Sequence, residues 1–440
     1  MKVLKFGSAA IGSVDKIRTV ASIIEREKNN IIVLSSIKGT AETLAEISKY
    51  LYNKNQEGAF ELINQLDGTY ASLISDLFET EEYKAKALKF IRWRIDYIRS
   101  FSKDLFTLFE ERIVMSQGEL ISTDIFGFYF SERGTKAITI PALDFMRTDK
   151  NSVPDQDFLK EQLGPLLNVS EDVDLFMTQG YICRNVYGEI DDLRKGGSDY
   201  TASLIGSSLR MEEIQIWADV DVMQNNDSRY IKGTKAIRKL NFDEAAELTY
   251  FGEKILHPSS ILPAKIANIP VRLKNTMNPD GEGTLISNDT DPGVIKAVAA
   301  KEGITVIQVR SAKMLLAHGF LRRVLEVFDD YQTPIDMLTT SEVGVSITID
   351  DARRLQDIVD DLKKYGTVSV DEDMVIVCVV GDLNWLNVGF GSQITDALKD
   401  IPVRMISYGG SNYNMSFLVR RKDKEKSLNL LNNRLFNSLQ

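Results

Sequence analysis

The chain has 440 residues, 43% of them hydrophobic, which is too long for one ordinary domain and apolar enough to bury two or three cores. Its 53 basic and 63 acidic side chains leave a net charge of −10, and the basic ones are scattered instead of forming a stripe, which argues against nucleic acid as a partner. Cys183 and Cys378 offer neither a disulfide framework nor a four-ligand zinc site, and there is no signal-peptide core and no apolar run fit to span a bilayer. The expected setting is therefore soluble and cytoplasmic, away from membranes.

In chain order, "LKFGSAAIGSVDKI" (Leu4 to Ile17) reads as a strand turning through Gly7 into a helix, an arrangement whose backbone N–H groups can hold phosphate. Short β-branched runs follow in "NNIIVLSS" (29–36), "TKAITI" (135–140), "LFMTQGYI" (175–182) and "EIQIWADV" (213–220), separated by helical stretches. Continuous buried strands alternating with helices predict an α/β fold on a mainly parallel sheet sandwiched by helices. Between about 41 and 133 the apolar spacing becomes helical, as in "EISKYLYNKNQEGAFELINQL" and "KALKFIRWRIDYIRSFSKDLFTLF". This predicts a helical insertion whose aromatic stripe belongs to the core.

The last third repeats itself. "TVIQV" at 305 returns as "MVIVC" at 374, "TPIDMLTTSEV" at 333 as "IPVRMISYGGS" at 401, and "VSITI" at 345 as "MSFLV" at 415, at offsets of 69, 68 and 70 residues. Each copy reads strand, helix, strand pair, helix, which is the ferredoxin-like βαββαβ order. The first copy ends in the strand "TVSVD" (367–371), whereas the second stops at its helix and is one strand short. An unpaired edge is a liability, so the unassigned "GVIKAVAA" (293–300) is expected to pair with it and join the parts into one compact assembly.

Four clusters could meet at the carboxyl ends of the strands, where open α/β sheets place their sites: "KFGSAA" (5–10), "SQGELIST" (116–123), "RKGGSDYTASL" (194–204) and "WADVDVMQNNDSR" (217–229), with "FGEKILHP" (251–258) behind them. A glycine turn entering a helix is by itself a common backbone solution, but in this order the clusters become specific. With "MLLAHGFLRRVLEVF", "TTSEV" and the terminal repeat, they make the whole chain resemble aspartate kinase, of the amino acid kinase superfamily. The resemblance implies an amino acid kinase domain over 1–292 followed by tandem ACT domains, 303–372 and 373–440, the second completed by 293–302. It implies a monofunctional enzyme that phosphorylates the side-chain carboxylate of L-aspartate with ATP and Mg, the first step towards lysine, threonine and methionine. It also implies a homo-oligomer paired through the ACT units.

The resemblance assigns roles residue by residue. Lys5, Lys254 and Asp199 carry the catalysis: phosphoryl transfer needs positioning and charge stabilisation more than covalent help, so two lysines facing the γ-phosphate are apt. ATP would further meet Gly7, Ser8, Gly196, Gly197, Ala218, Asp219, Gln224, Arg229 and Ile255, and aspartate would meet Ala41, Glu119, Lys195 and Ser198. Read without the resemblance, Asp199 is a capping acid, Glu119 one more helix glutamate, and Asp219 with Arg229 a loop ion pair. Magnesium would arrive on the nucleotide, with no ligand certain from the protein.

Several family positions are changed. The usual K-F-G-G-T-S reads Lys5-Phe6-Gly7-Ser8-Ala9-Ala10, and the threonine expected in "SSIKGTAE" is Ala41, unless Thr40 substitutes for it. The arginine before Gly196 is Lys195, preceded by Arg194; Ala218 replaces a threonine and Gln224 a tyrosine. A lost charge-assisted hydrogen bond is worth roughly 1.5–3 kcal/mol, so two or three uncompensated losses could remove most activity while sparing the fold. If Ser8 must adopt a glycine's backbone angles, the turn is strained. Resemblance to lysine-sensitive members places the effector pocket at Met314, His318, Gly319, Phe320, Leu321, Asp336, Thr340, Ser341, Glu342 and Val343. There a helix N-terminus can meet a carboxylate while Asp336 and Glu342 hold ammonium groups. The rival readings are a catalytically weakened paralogue acting as amino-acid sensor or regulatory partner, and a kinase with another acceptor, since Ala41 and Lys195 fall where aspartate should sit.

Overall fold

A computed structural model describes residues 1–103, 105–167, 173–194, 196–219, 223–252, 256–311 and 318–437. The chain divides into two compact units: Met1–Val222 with Ile255–Asn288, and Met223–Lys254 with Asp289–Gln440. No helix among the described residues is long and apolar enough to cross a membrane.

In the first unit, strand β1 (Val3–Phe6) is followed by a 3₁₀ turn, Ser8–Ile11, and helix α1 (Val14–Arg26), whose cap Ser13 accepts the N–H of Lys16. After β2 (Ile31–Leu34) come the long helices α2 (Thr40–Tyr52), α3 (Gln56–Leu77), α4 (Glu81–Ser100) and α5 (Leu108–Glu132). The two apolar runs that read as continuous helices are each broken. Lys54 turns into the left-handed region at φ +55°, and the Asn55 side chain caps α3 by accepting the Gly58 N–H. The second break precedes the Thr107–Glu110 capping box of α5.

Then follow β3 (Ala137–Thr139), α6 (Ala142–Phe145), α7 (Gln156–Leu166), β4 (Leu175–Gln179), the small hairpin β5 (Ile182–Arg184) and β6 (Ile190–Asp192), α8 (Gly197–Ser208) and β7 (Ile214–Ala218). Next in the chain, β8 (Lys239–Asn241) and α9 (Phe242–Phe251) belong to the second unit, and α10 (Leu262–Ala267), β9 (Val271–Asn275) and β10 (Thr284–Ser287) return to the first. The first unit's main sheet runs β3-β4-β2-β1-β7-β9-β10, parallel except for the last pair. Its core joins Leu4, Phe6, Ile32 and Leu34 of the sheet to Ile63, Tyr70, Ile91, Ile95 and Phe126 of the helices. The aromatic residues expected in that core divide: Tyr70, Phe78 and Phe106 lie in it, whereas on α4 Ile91, Ile95 and Ile98 point inward and Trp93 is 58% exposed, stacked on Tyr97. On α4 the isoleucines took the inner face.

In the second unit, β11 (Ile295–Arg310), α11 (Phe320–Asp330), β12 (Leu338–Ser341), β13 (Gly344–Ile349), α12 (Leu355–Leu362) and β14 (Thr367–Gly381) form one repeat, and α13 (Phe390–Ala397), β15 (Met405–Tyr408), β16 (Asn414–Arg420) and α14 (Lys424–Phe436) continue the other. One antiparallel sheet, β12-β13-β11-β14-β16-β15, serves both. Its two long strands are shared: the end of β11 pairs with β13 and the start of β14, while Ile295–Lys301 pairs with Ile376–Gly381. Between these halves the register shifts near Lys301–Val306, and each half backs its own core, one around Ile307, Val324 and Ile347, the other around Val377, Ile394 and Phe417.

Candidate active site and regulatory residues

Lys5 is the one charged residue of β1, and its side chain is buried. Its Nζ lies 2.6 Å from Asp199 Oδ1 in the first turn of α8. That oxygen is buried and accepts no aligned hydrogen bond among the described residues. Gly7 follows with φ −73°, and a Cβ there would stand 3.3 Å from Lys5 Nζ, so the glycine keeps space beside the ammonium. Ser8 opens the 3₁₀ turn and is absent from the positive-φ residues, so it carries no glycine-like strain. The first N–H groups of this turn and of α8 lack intrahelical acceptors, which suits them to an anion.

The glycines before α8 are required by geometry. Gly196 has φ +85° and Gly197 φ +54°, and a Cβ on Gly196 would stand 2.6 Å from Ser260 Cβ. Behind the turn, Ser198 and Ser35 share a buried hydroxyl contact of 2.6 Å, tying α8 to the end of β2. Lys195 lies outside the described residues.

Glu119, on α5, is buried. Burial pushes its carboxyl up to about 7 against the opposing hydrogen bonds of its own backbone and of the Ser36 backbone and side chain. Ala41 is half-buried in the first turn of α2, and the hydroxyl of its neighbour Thr40 is engaged 2.7 Å from that of Tyr70. At the end of β7, the Ala218 carbonyl accepts the N–H of Thr276 at 2.8 Å.

Asp219 pairs with Lys16 at 2.6 Å, and that hydrogen bond holds its carboxyl below the ordinary range; Lys16 also donates to the Ala9 carbonyl. Arg229 belongs to the second unit and pairs with Asp227 at 2.7 Å, so the loop pair of Asp219 with Arg229 is replaced by two pairs with other partners. Gln224, also in the second unit, bridges to Ala236. Lys254 and Ile255 lie outside the described residues.

Sequence reading passed over Lys16, which sits on an amphipathic helix like any surface lysine, and the serines 35 and 36. It also passed over Tyr181, whose φ of +69° is rare for an aromatic residue and whose N–H donates to Thr201 of α8.

In the second unit, His318 and Gly319 form an exposed turn with Gly319 at φ +78°, after which α11 begins. Phe320 is buried in the core of the first repeat and Leu321 is exposed. Thr340 and Ser341 end β12, and Glu342 and Val343 make the exposed turn into β13. The side chain of Asp336 is buried and already holds an ammonium, that of Lys301, at 2.7 Å. Met314 lies outside the described residues.

The sequence model of the amino acid kinase family matches residues 1–275, and that of an ACT domain matches 377–435. Lysine-sensitive aspartokinase 3 of Escherichia coli is 30% identical over 99% of both chains; aspartokinase 1, chloroplastic, of Arabidopsis thaliana is 30% identical over 99% of this chain and 80% of its own. The crystal structure of E. coli aspartokinase III in complex with lysine and aspartate, in the T-state, superposes with a TM-score of 0.85, 30% identity and 99% coverage of both chains. The same enzyme in complex with aspartate and ADP, in the R-state, gives 0.78 at 29% identity, covering 99% of this chain and 100% of that one.

Proposed function

Since this chain belongs to the aspartokinases of the amino acid kinase family, we propose that it transfers the γ-phosphoryl group of ATP to the side-chain carboxylate of L-aspartate. The observation that carries the assignment of roles is the buried Lys5–Asp199 pair at the foot of two glycine turns. Lys5, joined by Lys254, neutralises charge on the transferred group, and Asp199 holds Lys5 in place. Backbone N–H groups at Gly7, Ser8, Gly196 and Gly197 take the phosphates, while Ala218, Asp219, Gln224, Arg229 and Ile255 serve the nucleotide. Glu119 takes the ammonium of aspartate, with Ala41, Lys195 and Ser198 around its carboxylates. Magnesium suits this site as a companion of the nucleotide: the buried Asp199 Oδ1 accepts no aligned hydrogen bond among the described residues and is a hard oxygen donor, and the ion would supply charge neutralisation of the phosphates.

The ACT pair makes the enzyme a feedback-regulated one, with L-lysine as effector at the first unit, through Met314, His318 to Leu321, Asp336 and Thr340 to Val343. Assembly into homo-oligomers through these units is supported by an exposed apolar loop in the second, where Trp385 is 73% and Val388 96% exposed beside Leu386. Both cysteines are free and buried, in keeping with a reducing cytoplasm. Ser8 sits in an unstrained conformation, which takes one argument away from the reading of a decayed kinase.

The test is ADP release by the full chain with ATP, magnesium and L-aspartate, trapping the acyl phosphate with hydroxylamine. Aspartate-dependent turnover that falls with lysine is expected. Lysine binding without turnover would replace the enzyme by a sensor, and turnover with another amino acid would change the acceptor.

A further inference from the structure

Asp336 stands in the loop between α11 and β12 with its side chain 1% exposed. Its Oδ1 is taken twice, by Lys301 Nζ at 2.7 Å and by the Tyr250 hydroxyl at 2.6 Å. Lys301 comes from the bend of β11, lies 4.1 Å from the centre of the Tyr250 ring and also reaches Asp350 Oδ2 at 2.9 Å. Burial alone would push the Lys301 ammonium towards losing its proton, but the hydrogen bonds to Asp336 and Asp350 more than reverse this, so it stays charged. Asp336 Oδ2, equally buried, accepts nothing among the described residues.

The repeat supplies an internal control. "TPIDM" (333–337) aligns with "IPVRM" (401–405), so Asp336 corresponds to Arg404. Arg404 Nε donates to Asp371 Oδ2 at 3.0 Å, on the bend of β14. Both repeats therefore fasten the same loop to the same strand with an ion pair, but with the signs exchanged. The second pair is also far more open, with side chains 34% and 50% exposed. Fastening the loop does not demand a carboxylate on it. A buried carboxylate closed around an ammonium, with one oxygen to spare, is a feature of the first repeat, and its chemistry suits a cationic ligand.

We propose that Lys301 is a resident occupant of an ammonium subsite at Asp336 and thereby sets how tightly the first ACT unit takes a cationic amino acid. This rests on the reading of lysine as effector. An incoming ammonium displaces Lys301, whose charge falls back on Asp350, already 2.9 Å away and 40% exposed, while the Tyr250 hydroxyl stays on Asp336. The resident side chain and the ligand carry the same functional group, so occupancy is a competition.

The experiment is calorimetric titration of the full chain with L-lysine, comparing wild type and Lys301→Met, together with the melting temperature of Lys301→Ala in millimolar n-propylammonium. Removing the competitor should tighten lysine binding about tenfold or more. Propylammonium should raise the melting temperature of Lys301→Ala and leave wild type unmoved. If wild type binds lysine, Lys301→Met binds it no better and Lys301→Ala is not rescued, the inference is overturned and the lysine reading survives. Binding in Lys301→Met but not in wild type upholds the inference and removes lysine regulation. Failure of both proteins to bind, without rescue, overturns both. Where Lys301→Met does not fold, the rescue of Lys301→Ala decides.

Discussion

Glu119→Gln separates what the buried carboxylate does for the substrate from what it costs the fold. The native state keeps the Glu119 proton up to about pH 7, whereas an exposed glutamate releases it near 4.5. Between those values the folded chain binds more protons than the unfolded one, so this group makes stability fall as pH rises. At about 1.4 kcal/mol per pH unit, Glu119 costs the empty enzyme about 3 kcal/mol at pH 8, where it must be held ionised, and about 1 kcal/mol at pH 5, where it must be held protonated. Glutamine keeps the shape without the charge. Glu119→Gln should therefore melt several degrees higher than wild type at pH 8 and with a much smaller gain at pH 5. In the coupled ADP assay it should lose roughly 10- to 100-fold in kcat/KM for aspartate, since one charge-assisted hydrogen bond of about 1.5–3 kcal/mol is gone. In wild type, KM for aspartate should fall as pH rises from 6 to 8, as Glu119 ionises. Equal melting of the two proteins at pH 8 would refute the argument from burial, and an unchanged KM would refute the assignment of Glu119 to the substrate ammonium.

Asp199→Asn leaves the Lys5 ammonium buried without its carboxylate and should cost about 3 kcal/mol in chemical denaturation and on the order of 10²–10³ in kcat; a fully active variant would remove Asp199 from the site. Gly7→Ala places a methyl 3.3 Å from Lys5 Nζ, so turnover should drop with little change in melting temperature, and the reverse pattern would mean the glycine serves the fold. Gly196→Ala combines φ +85° with a 2.6 Å clash against Ser260 Cβ and should lower the melting temperature and abolish nucleotide binding together, read by calorimetry with ADP. Ser8→Gly should give no stability, or lose up to about 1 kcal/mol, because Ser8 already has an ordinary conformation; a clear gain in stability would mean the turn is strained after all.

Much of this protein is local and was therefore legible in its sequence. The strand runs are continuous because a parallel sheet is covered on both faces, the glycine turns stand where positive φ and close approach leave no choice, as at Gly196, and the repeat shows itself because each copy must bury the same faces. The family, and with it Lys5, Asp199 and Glu119 as residues worth asking about, follows from the order of short motifs. Partnership and environment were decided only in three dimensions. Lys16 reaches Asp219 across 203 positions of chain, and nothing in an amphipathic helix marks that lysine from its neighbours. Burial of Glu119, which moves its carboxyl to about 7, depends on what packs over α5 and not on the residues beside it. The sharing of β11 and β14 between two repeats depends on a shift of register, and the occupation of Asp336 by Lys301 on a bend in that same strand. Periodicity and turn chemistry act over a few residues, whereas desolvation and ion pairing are set by whichever distant segments the fold brings together.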